Sequence, residues 1–276
     1  MNIEKILKPQ FQELINFINS SPDREAFLFL YGVLRDSHDN LDVYIHRHND
    51  RLIGSVALLP TLPPFGVSVI LPVGEIEPNF LNKISATLQS PRMALGSKST
   101  TTSLIKAWPQ NWKPLTYQRN EVLLKQCRPH INDRSSFLKT RLATSGDITT
   151  LVDYRIRMER DSQVAIISTE EQAYHTVLSL LERENLYIID VNGHPGGCAA
   201  LTTSNESYQQ LGFIFVEEQY RKKGISDYLL RDICSVIHNQ GKFPLTFTRA
   251  NGLLHNRLVA IGFSNAGEHV KLYFGS

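Results

Sequence analysis

Three cysteines in 276 residues, at positions 127, 198 and 234, are too few and too far apart for a disulfide framework. No CxxC pair exists for a thiolate zinc site, and a reducing, cytoplasmic setting fits this usage. No two glycines stand two apart, which removes GxG dinucleotide and kinase loops. The Walker phosphate loop, HExxH and GxSxG are missing as well. No apolar run approaches the ~18 residues of a membrane helix. The opening MNIEKILKPQ has no apolar core of signal-peptide length, so neither a leader nor a membrane partner is expected. Charge of one sign is also lacking. The 29 Lys and Arg against 27 Asp and Glu leave a net charge of +2. No nucleic-acid partner is expected from such a balance, and any anion site must be local.

What is present is a globular composition, 42% hydrophobic and 20% charged. The length suits two domains at ~100–200 residues each. The pattern is mixed α/β. Apolar residues at helical spacing over 3–19 predict a first helix, which Pro9 kinks or splits. Residues 42–59 read as two strands joined at Asn49-Asp50, and 67–73 as a buried strand. Helices are expected near 78–89 and 99–108, a strand at 117–125 and a polar linker at 127–136. In the second half Asp147 is placed as the cap of one helix, and Thr169 with Gln172 as a capping box of the next. A hairpin follows at Asn192-Gly193, then a long strand at 208–216 and a helix at 224–240 stopped by Gly241. A strand at 245–249, a helix at 251–261 and a strand at 269–274 end the chain.

An internal repeat organises this pattern. YIHRHNDRLIGSVALL from Tyr44 aligns without a gap on YIIDVNGHPGGCAALT from Tyr187, an offset of 187 − 44 = 143. Tyr, Ile, Asn, Gly, Ala and Leu are identical at 44/187, 45/188, 49/192, 54/197, 57/200 and 58/201. Two hairpins of generic turn residues can also look alike without common descent.

His46 and His48 alternate along a strand, which suits either a metal pair or a solvated edge. Without further ligands no metal is expected. The informative stretch is VEEQYRKKGISDYLL from Val216. A buried strand ends, a basic loop of Arg221, Lys222 and Lys223 follows, and Gly224-Ile225-Ser226 opens an amphipathic helix. A helix start leaves backbone N–H groups unpaired and carries partial positive charge. Gly224 lets an anion approach the backbone. The combination is a pyrophosphate cradle without a Walker lysine.

These residues resemble the GNAT superfamily of acyl-CoA-dependent N-acyltransferases. The family signature, Q/R-x-x-G-x-G/A after the fourth strand, is met by Arg221-Lys222-Lys223-Gly224-Ile225-Ser226, with Ser226 in place of Gly or Ala. Val216 matches the family's Val ahead of the loop, and Asn251 with Gly262-Phe263 matches its downstream pattern. The resemblance implies a cofactor site of Phe215, Val216, Arg221–Ser226 and Asn251, holding acetyl-CoA or another acyl-CoA. It implies transfer to an amine on a small molecule or peptide. Many family members place a proton-donating tyrosine four residues before the Gly of that Gly-Phe pair; here that position is Leu258. Tyr228, His255 and Tyr220 are nearby alternatives, and Glu218 is the candidate base. Glu217 and Glu218 could equally be surface carboxylates balancing the loop's cations.

At the 143 offset, 221–226 fall on Pro78–Lys83, with neither glycine nor arginine. The expected architecture is therefore a GNAT domain over 137–276, with a mixed central sheet flanked by helices, and a degenerate GNAT-like domain over 1–130. The N-terminal half would shape the acceptor pocket or a homodimer. A non-catalytic acyl-CoA sensor is the rival reading. Aminoacyl-tRNA transfer, a third, is disfavoured by the small net charge.

Overall fold

A computed structural model describes residues 2–35, 40–62, 67–128, 138–164 and 167–275. Most of the expected linker at 127–136 lies outside the described residues. The strands are β1 (Asn2–Ile6), β2 (Asp42–His48), β3 (Arg51–Leu62), β4 (Val67–Gly74), β5 (Met93–Ser97), β6 (Leu115–Lys125), β7 (Leu138–Leu142), β8 (Leu186–Val191), β9 (His194–Ser204), β10 (Tyr208–Val216), β11 (Phe243–Thr248) and β12 (Ser264–Phe274). The helices are α1 (Phe11–Ser20), α2 (Leu28–Arg35), α3 (Pro78–Ser85), α4 (Lys98–Lys106), α5 (Ile148–Asp161), α6 (Glu170–Glu182), α7 (Ile225–Asn239) and α8 (Leu253–Ala260). From β1 to β6 and from β7 to β12 the order is the same, β-α-α-β-β-β-α-β-α-β, so the repeat extends over both halves.

The chain divides into two compact units. Among the described residues the first comprises 2–35, 40–62, 67–123 and 267–275, and the second 124–128, 138–164 and 167–266. These units differ from the expected domains of 1–130 and 137–276 at the last strand. β12 pairs antiparallel with β5, Val270 opposite Gly96 and Leu272 opposite Ala94. Val270, Leu272 and Phe274 enter the core formed by Phe80, Leu81, Ile84 and Leu104, and Trp108 stacks on Phe274 at 3.8 Å. Burying each of the three is worth about 1.5–3 kcal/mol, which ties the C-terminal strand to the first unit. Conversely, the fully buried Gln126 belongs to the second unit. Its backbone N–H donates to the Pro244 carbonyl, its Nε2 to the Ile261 carbonyl at 2.6 Å, and its Oε1 meets His238 Nε2 at 3.1 Å.

The first unit's strand order is β1-β2-β3-β4-β5-β12-β6, and from β1 to β12 the pairs are antiparallel except for β4 with β5. The expected helix over 3–19 is instead strand β1 followed by α1. Residues 2–6 pair with the edge of β2, and Pro9 sits in the short 3-10 turn that separates the two elements. The pairing of β2 with β3 slips between His46 and Arg47, which breaks the alternation and separates the two histidines. His46 is buried and His48 exposed.

Buried charge concentrates on β6 and β12. Glu121, 4% exposed, meets Arg119 Nε at 2.8 Å, Lys271 Nζ at 3.1 Å and His269 Nδ1 at 3.5 Å. Burial raises the Glu121 pKa, but Lys271, His269 and Arg119 together outweigh it and hold the carboxyl well below the usual range. Burial lowers the pKa of His269.

The second unit's order is β11-β10-β9-β8-β7, antiparallel except for β10 with β11. Asn192 and Gly193, both at positive φ, close the β8–β9 hairpin as Asn49 and Asp50 close β2–β3. Leu151, Val152, Tyr154, Ala173 and Val177 of α5 and α6 form one core with Ile188, Cys198, Phe213 and Phe215. α7 buries Ile225, Leu229, Leu230, Ile233, Cys234 and Ile237. Thr169 and Gln172 form the capping box on α6. Asp147 does occupy the start of α5, but its carboxylate is taken by Arg141 and Thr144 rather than by the helix.

Two stability predictions follow from the first unit. Glu121→Gln leaves the partly buried Arg119 and Lys271 without their carboxylate and should destabilise the protein by about 3 kcal/mol in urea titration at pH 7. His46 is fully buried, stacks on Phe80 and makes no hydrogen bond, with the Glu77 carboxylate at 3.6 Å. Burial lowers its pKa against the opposing pull of Glu77. The unfolded chain therefore binds the extra proton first, and stability falls as pH drops below about 6.5. His46→Leu should flatten the stability profile between about pH 5 and 6.5; an unchanged slope would remove His46 from the acid limb.

Candidate functional site

The candidate site starts where β10 leaves its neighbour. β10 and β11 pair in parallel at Tyr208–Gln210 with Phe243–Leu245, and no further pairing follows among the described residues. The Thr246 hydroxyl donates to the Leu211 carbonyl at 2.9 Å just past the last pair. On its other edge β10 slips register against β9 between Gln209 and Leu211 and again between Gly212 and Phe215, with Phe213 at φ +48°. Such irregularities add twist and bend the strand. The two parallel strands thus diverge toward their C-terminal ends, where ligands of open α/β sheets collect.

At the end of β10 the chain makes a short 3-10 turn, Glu218–Tyr220, and then the basic loop. Lys222 has φ +62° and Gly224 φ +78°, both in the left-handed region. Gly224 is the N-cap of α7 and no side chain caps that helix start. A Cβ built on Gly224 would meet nothing within 4 Å, so the space beside this N-cap residue is open. Arg221, Lys222, Lys223 and Gly224 are exposed and Ile225 is buried. The Ser226 hydroxyl lies 3.4 Å from Asp227 Oδ1, and Arg257 of α8 reaches Asp227 at 3.3 Å.

The structure brings Phe215 through Ser226 together as one continuous turn. Phe215 is buried against Tyr154, ring centroids 4.7 Å apart, and Val216 ends the strand. The cations differ in their engagement. Arg221 donates to the Val216 carbonyl at 2.9 Å and to Asp161 at 2.6 Å, whereas Lys223 lies over the Tyr220 ring at 6.0 Å. The carboxylate that balances Arg221 is therefore Asp161. Glu217 is gripped by Arg157, at 3.0 and 2.8 Å, which holds its pKa low. Glu218 is exposed.

The remaining candidates lie on α7, on α8 and at the turn into α8. The Tyr228 hydroxyl donates to the Leu138 carbonyl of β7 at 3.4 Å, so it points to the opposite edge of the unit's sheet from β11. His255 lies on α8 with Nδ1 at 3.2 Å from Asn256 Oδ1. Leu258, in the slot of the family's tyrosine, is fully buried in the core. Asn251 is exposed, with φ +58°, at the turn into α8. Arg157, Asp161 and Tyr154 were not singled out from sequence. Asp153, Arg157 and Asp161 recur every four residues on one face of α5, and that charge spacing was the available signal. Among the described residues no group of three His, Cys, Asp or Glu could hold a metal, and no helix is long and apolar enough to cross a membrane.

No family model and no curated protein matches the sequence. Solved structures do match over the whole chain. A GNAT-family acetyltransferase from Colwellia psychrerythraea is 15% identical, with 100% of both chains covered and a TM-score of 0.64. A GCN5-related N-acetyltransferase from Sphaerobacter thermophilus is 14% identical over 98% of this chain and 94% of its own, TM-score 0.61. A tandem GNAT protein of the clavulanic acid biosynthesis pathway is 9% identical over 100% and 99%, TM-score 0.60. The chain has the fold of GNAT acetyltransferases, tandem GNAT proteins among them.

Gly224→Val puts a branched side chain into the open approach and strains a left-handed position. Acetyl-CoA affinity by calorimetric titration should fall at least tenfold, about 1.4 kcal/mol, in a protein that remains folded by circular dichroism.

Proposed function

We propose that the second unit binds an acyl-CoA and transfers its acyl group to an amine, as an N-acyltransferase. The observation that carries this reading is the open, uncapped start of α7, with Gly224 at φ +78°, directly after the diverging β10 and β11. The residues suit a pyrophosphate. Lys222 and Lys223 supply exposed cations, and the first-turn N–H groups supply donors and the positive end of a helix. An acyl-CoA supplies a thioester whose carbonyl carbon forms the new C–N bond as the C–S bond breaks and the thiolate leaves. The chain's own tasks are to orient the acceptor, to take one proton from the amine and to polarise the carbonyl. Backbone of β10 past Gln210, unpaired with β11, is the candidate source of that polarisation, with Val216 at its end.

Glu218 is the better placed carboxylate for the amine proton, because Glu217 is committed to Arg157. Leu258 offers no acid, and Leu258→Tyr would overpack a filled core rather than restore a donor. Water or His255 then protonates the thiolate, since the Tyr228 hydroxyl is turned to the Leu138 carbonyl of β7. The acceptor is a small-molecule or peptide amine, the setting cytoplasmic, and the first unit the degenerate partner. In that unit the β4–α3 connection is three residues, Glu75–Glu77, acidic and closed by Pro78, where the second unit has eight, 217–224.

The buried Leu258 also favours a second reading, a non-catalytic acyl-CoA sensor. Equilibrium dialysis should find one acetyl-CoA site per chain, and two equivalent sites would refute the assignment to the second unit alone. Release of CoA thiol in a panel of amines supports the enzyme, and Glu218→Gln should then lower kcat/KM by about 10²-fold. Binding with no thiol release across the panel supports the sensor.

A further inference from the structure

The loop arginine is used differently from its lysine neighbours. Arg221 Nε donates to the carbonyl of Val216, the last residue of β10, at 2.9 Å. Its Nη2 donates to Asp161 of α5 at 2.6 Å, and its guanidinium carbon lies 5.5 Å from the centre of the Phe215 ring. Arg157 also sits against that ring, at 5.0 Å, while it holds Glu217 with both terminal nitrogens and Asp153 at 3.0 Å. Phe215 therefore carries two guanidinium groups, and both are tied to the Asp153-Arg157-Asp161 stripe of α5. The residues on either side of the 3-10 turn, Glu217 and Arg221, are fastened to one helix face by opposite charges. Downstream of this fastening Lys222 takes a left-handed conformation that disfavours a side chain. An exposed ion pair alone contributes little. Here one planar fork also satisfies a strand-end carbonyl and stacks near an aromatic face, which a flexible ammonium cannot do at once.

We propose that Arg221 is a positioning residue and not a phosphate ligand: it pins the 217–224 loop to α5 and to the end of β10, leaving Lys222, Lys223 and the α7 N–H groups to meet the phosphates. The inference rests on the acyl-CoA reading of this loop and deepens it. The two roles make opposite predictions. A phosphate ligand acts by its charge, so Arg221→Lys should bind nearly as wild type, and Asp161→Asn should tighten binding by removing a competing anion. A positioning fork acts by its geometry, so Arg221→Lys should fail like Arg221→Ala, and Asp161→Asn should weaken binding.

The test is calorimetric titration of acetyl-CoA into the full chain at two salt concentrations. Arg221→Ala and Arg221→Lys should each lose at least fivefold in affinity and Asp161→Asn at least threefold. The Arg221→Ala/Asp161→Asn double variant should be no weaker than Arg221→Ala, because one interaction is removed twice. The salt dependence of Arg221→Ala should equal that of wild type, since no phosphate contact is lost, whereas Lys222→Ala and Lys223→Ala should reduce it. Wild-type affinity in Arg221→Lys, unchanged or tighter binding in Asp161→Asn, or a reduced salt dependence in Arg221→Ala would each overturn the inference. If Arg221→Ala does not fold, Arg221→Lys and Asp161→Asn decide the question. Failure of the underlying reading looks different: wild type would not bind acetyl-CoA, or Gly224→Val and both lysine variants would leave affinity unchanged, and the positioning role would fall with it.

Discussion

The divergence of β10 from β11 after three paired residues is the constraint on which the candidate site depends. Parallel strands that stay paired bury their backbone donors in each other. Here the register slips against β9 bend β10 away, and the Thr246 hydroxyl closes the last carbonyl before the gap. Past that point backbone of β10 is available to something other than a strand, and the strand end delivers the chain into a helix start with no side-chain cap. Bulge, gap and bare helix terminus lie along one continuous stretch, Leu211 to Ser226. Each costs stability by itself, since unpaired donors and left-handed residues oppose folding. Their concentration in one place is what makes this stretch the candidate site.

Charge is arranged to support that stretch. In the acid-base-acid stripe of α5, Arg157 pairs with Glu217 and Asp161 with Arg221, which leaves Lys222 and Lys223 as the loop cations that α5 does not engage. The first unit handles charge in another way. Its counterpart connection holds Glu75 and Glu77, and its strongest electrostatic feature is the internal Glu121 cluster between β6 and β12. Partly buried cations gather around one carboxylate there; cations exposed beside a helix start suit an anion. The same residue types thus serve packing in one unit and line the candidate site in the other.

The repeat explains both the likeness and the difference of the halves. Gly54 and Gly197 match in sequence because backbone at the end of the following strand or just past it comes too close for a side chain, Glu75 over one and Phe215 over the other. The offset is 142 at the ends of β4 and β10 (216 − 74) and 147 at the starts of α3 and α7 (225 − 78). The five extra residues are in the connection that carries Arg221, Lys222, Lys223 and Gly224. An ungapped alignment carried across the connection therefore set Pro78–Lys83 against the loop, although those residues are the body of α3. The absence of a cradle in the first unit follows all the same, since a three-residue link closed by proline has no room for one.

Local chemistry determined what could be read along the chain. The α6 capping box, the two hairpin turns, the stop of α7 at Gly241 and the basic loop before Gly224 all depend on residues within a few positions of one another. The same locality made the resemblance over the loop legible at identities of 9–15% to the solved structures. Tertiary structure decided what depends on distant partners. Residues 3–6 have helical spacing but form a strand because β2 offers an unpaired edge. Residues 267–275 join the first unit because β5 and the Phe80 core receive them. Arg221 carries the signature's charge, yet its guanidinium is taken by Asp161, sixty residues upstream and contributed by α5. Leu258 marks the limit of both levels: the resemblance assigns its position to a tyrosine, and burial shows that the leucine found there is part of the core.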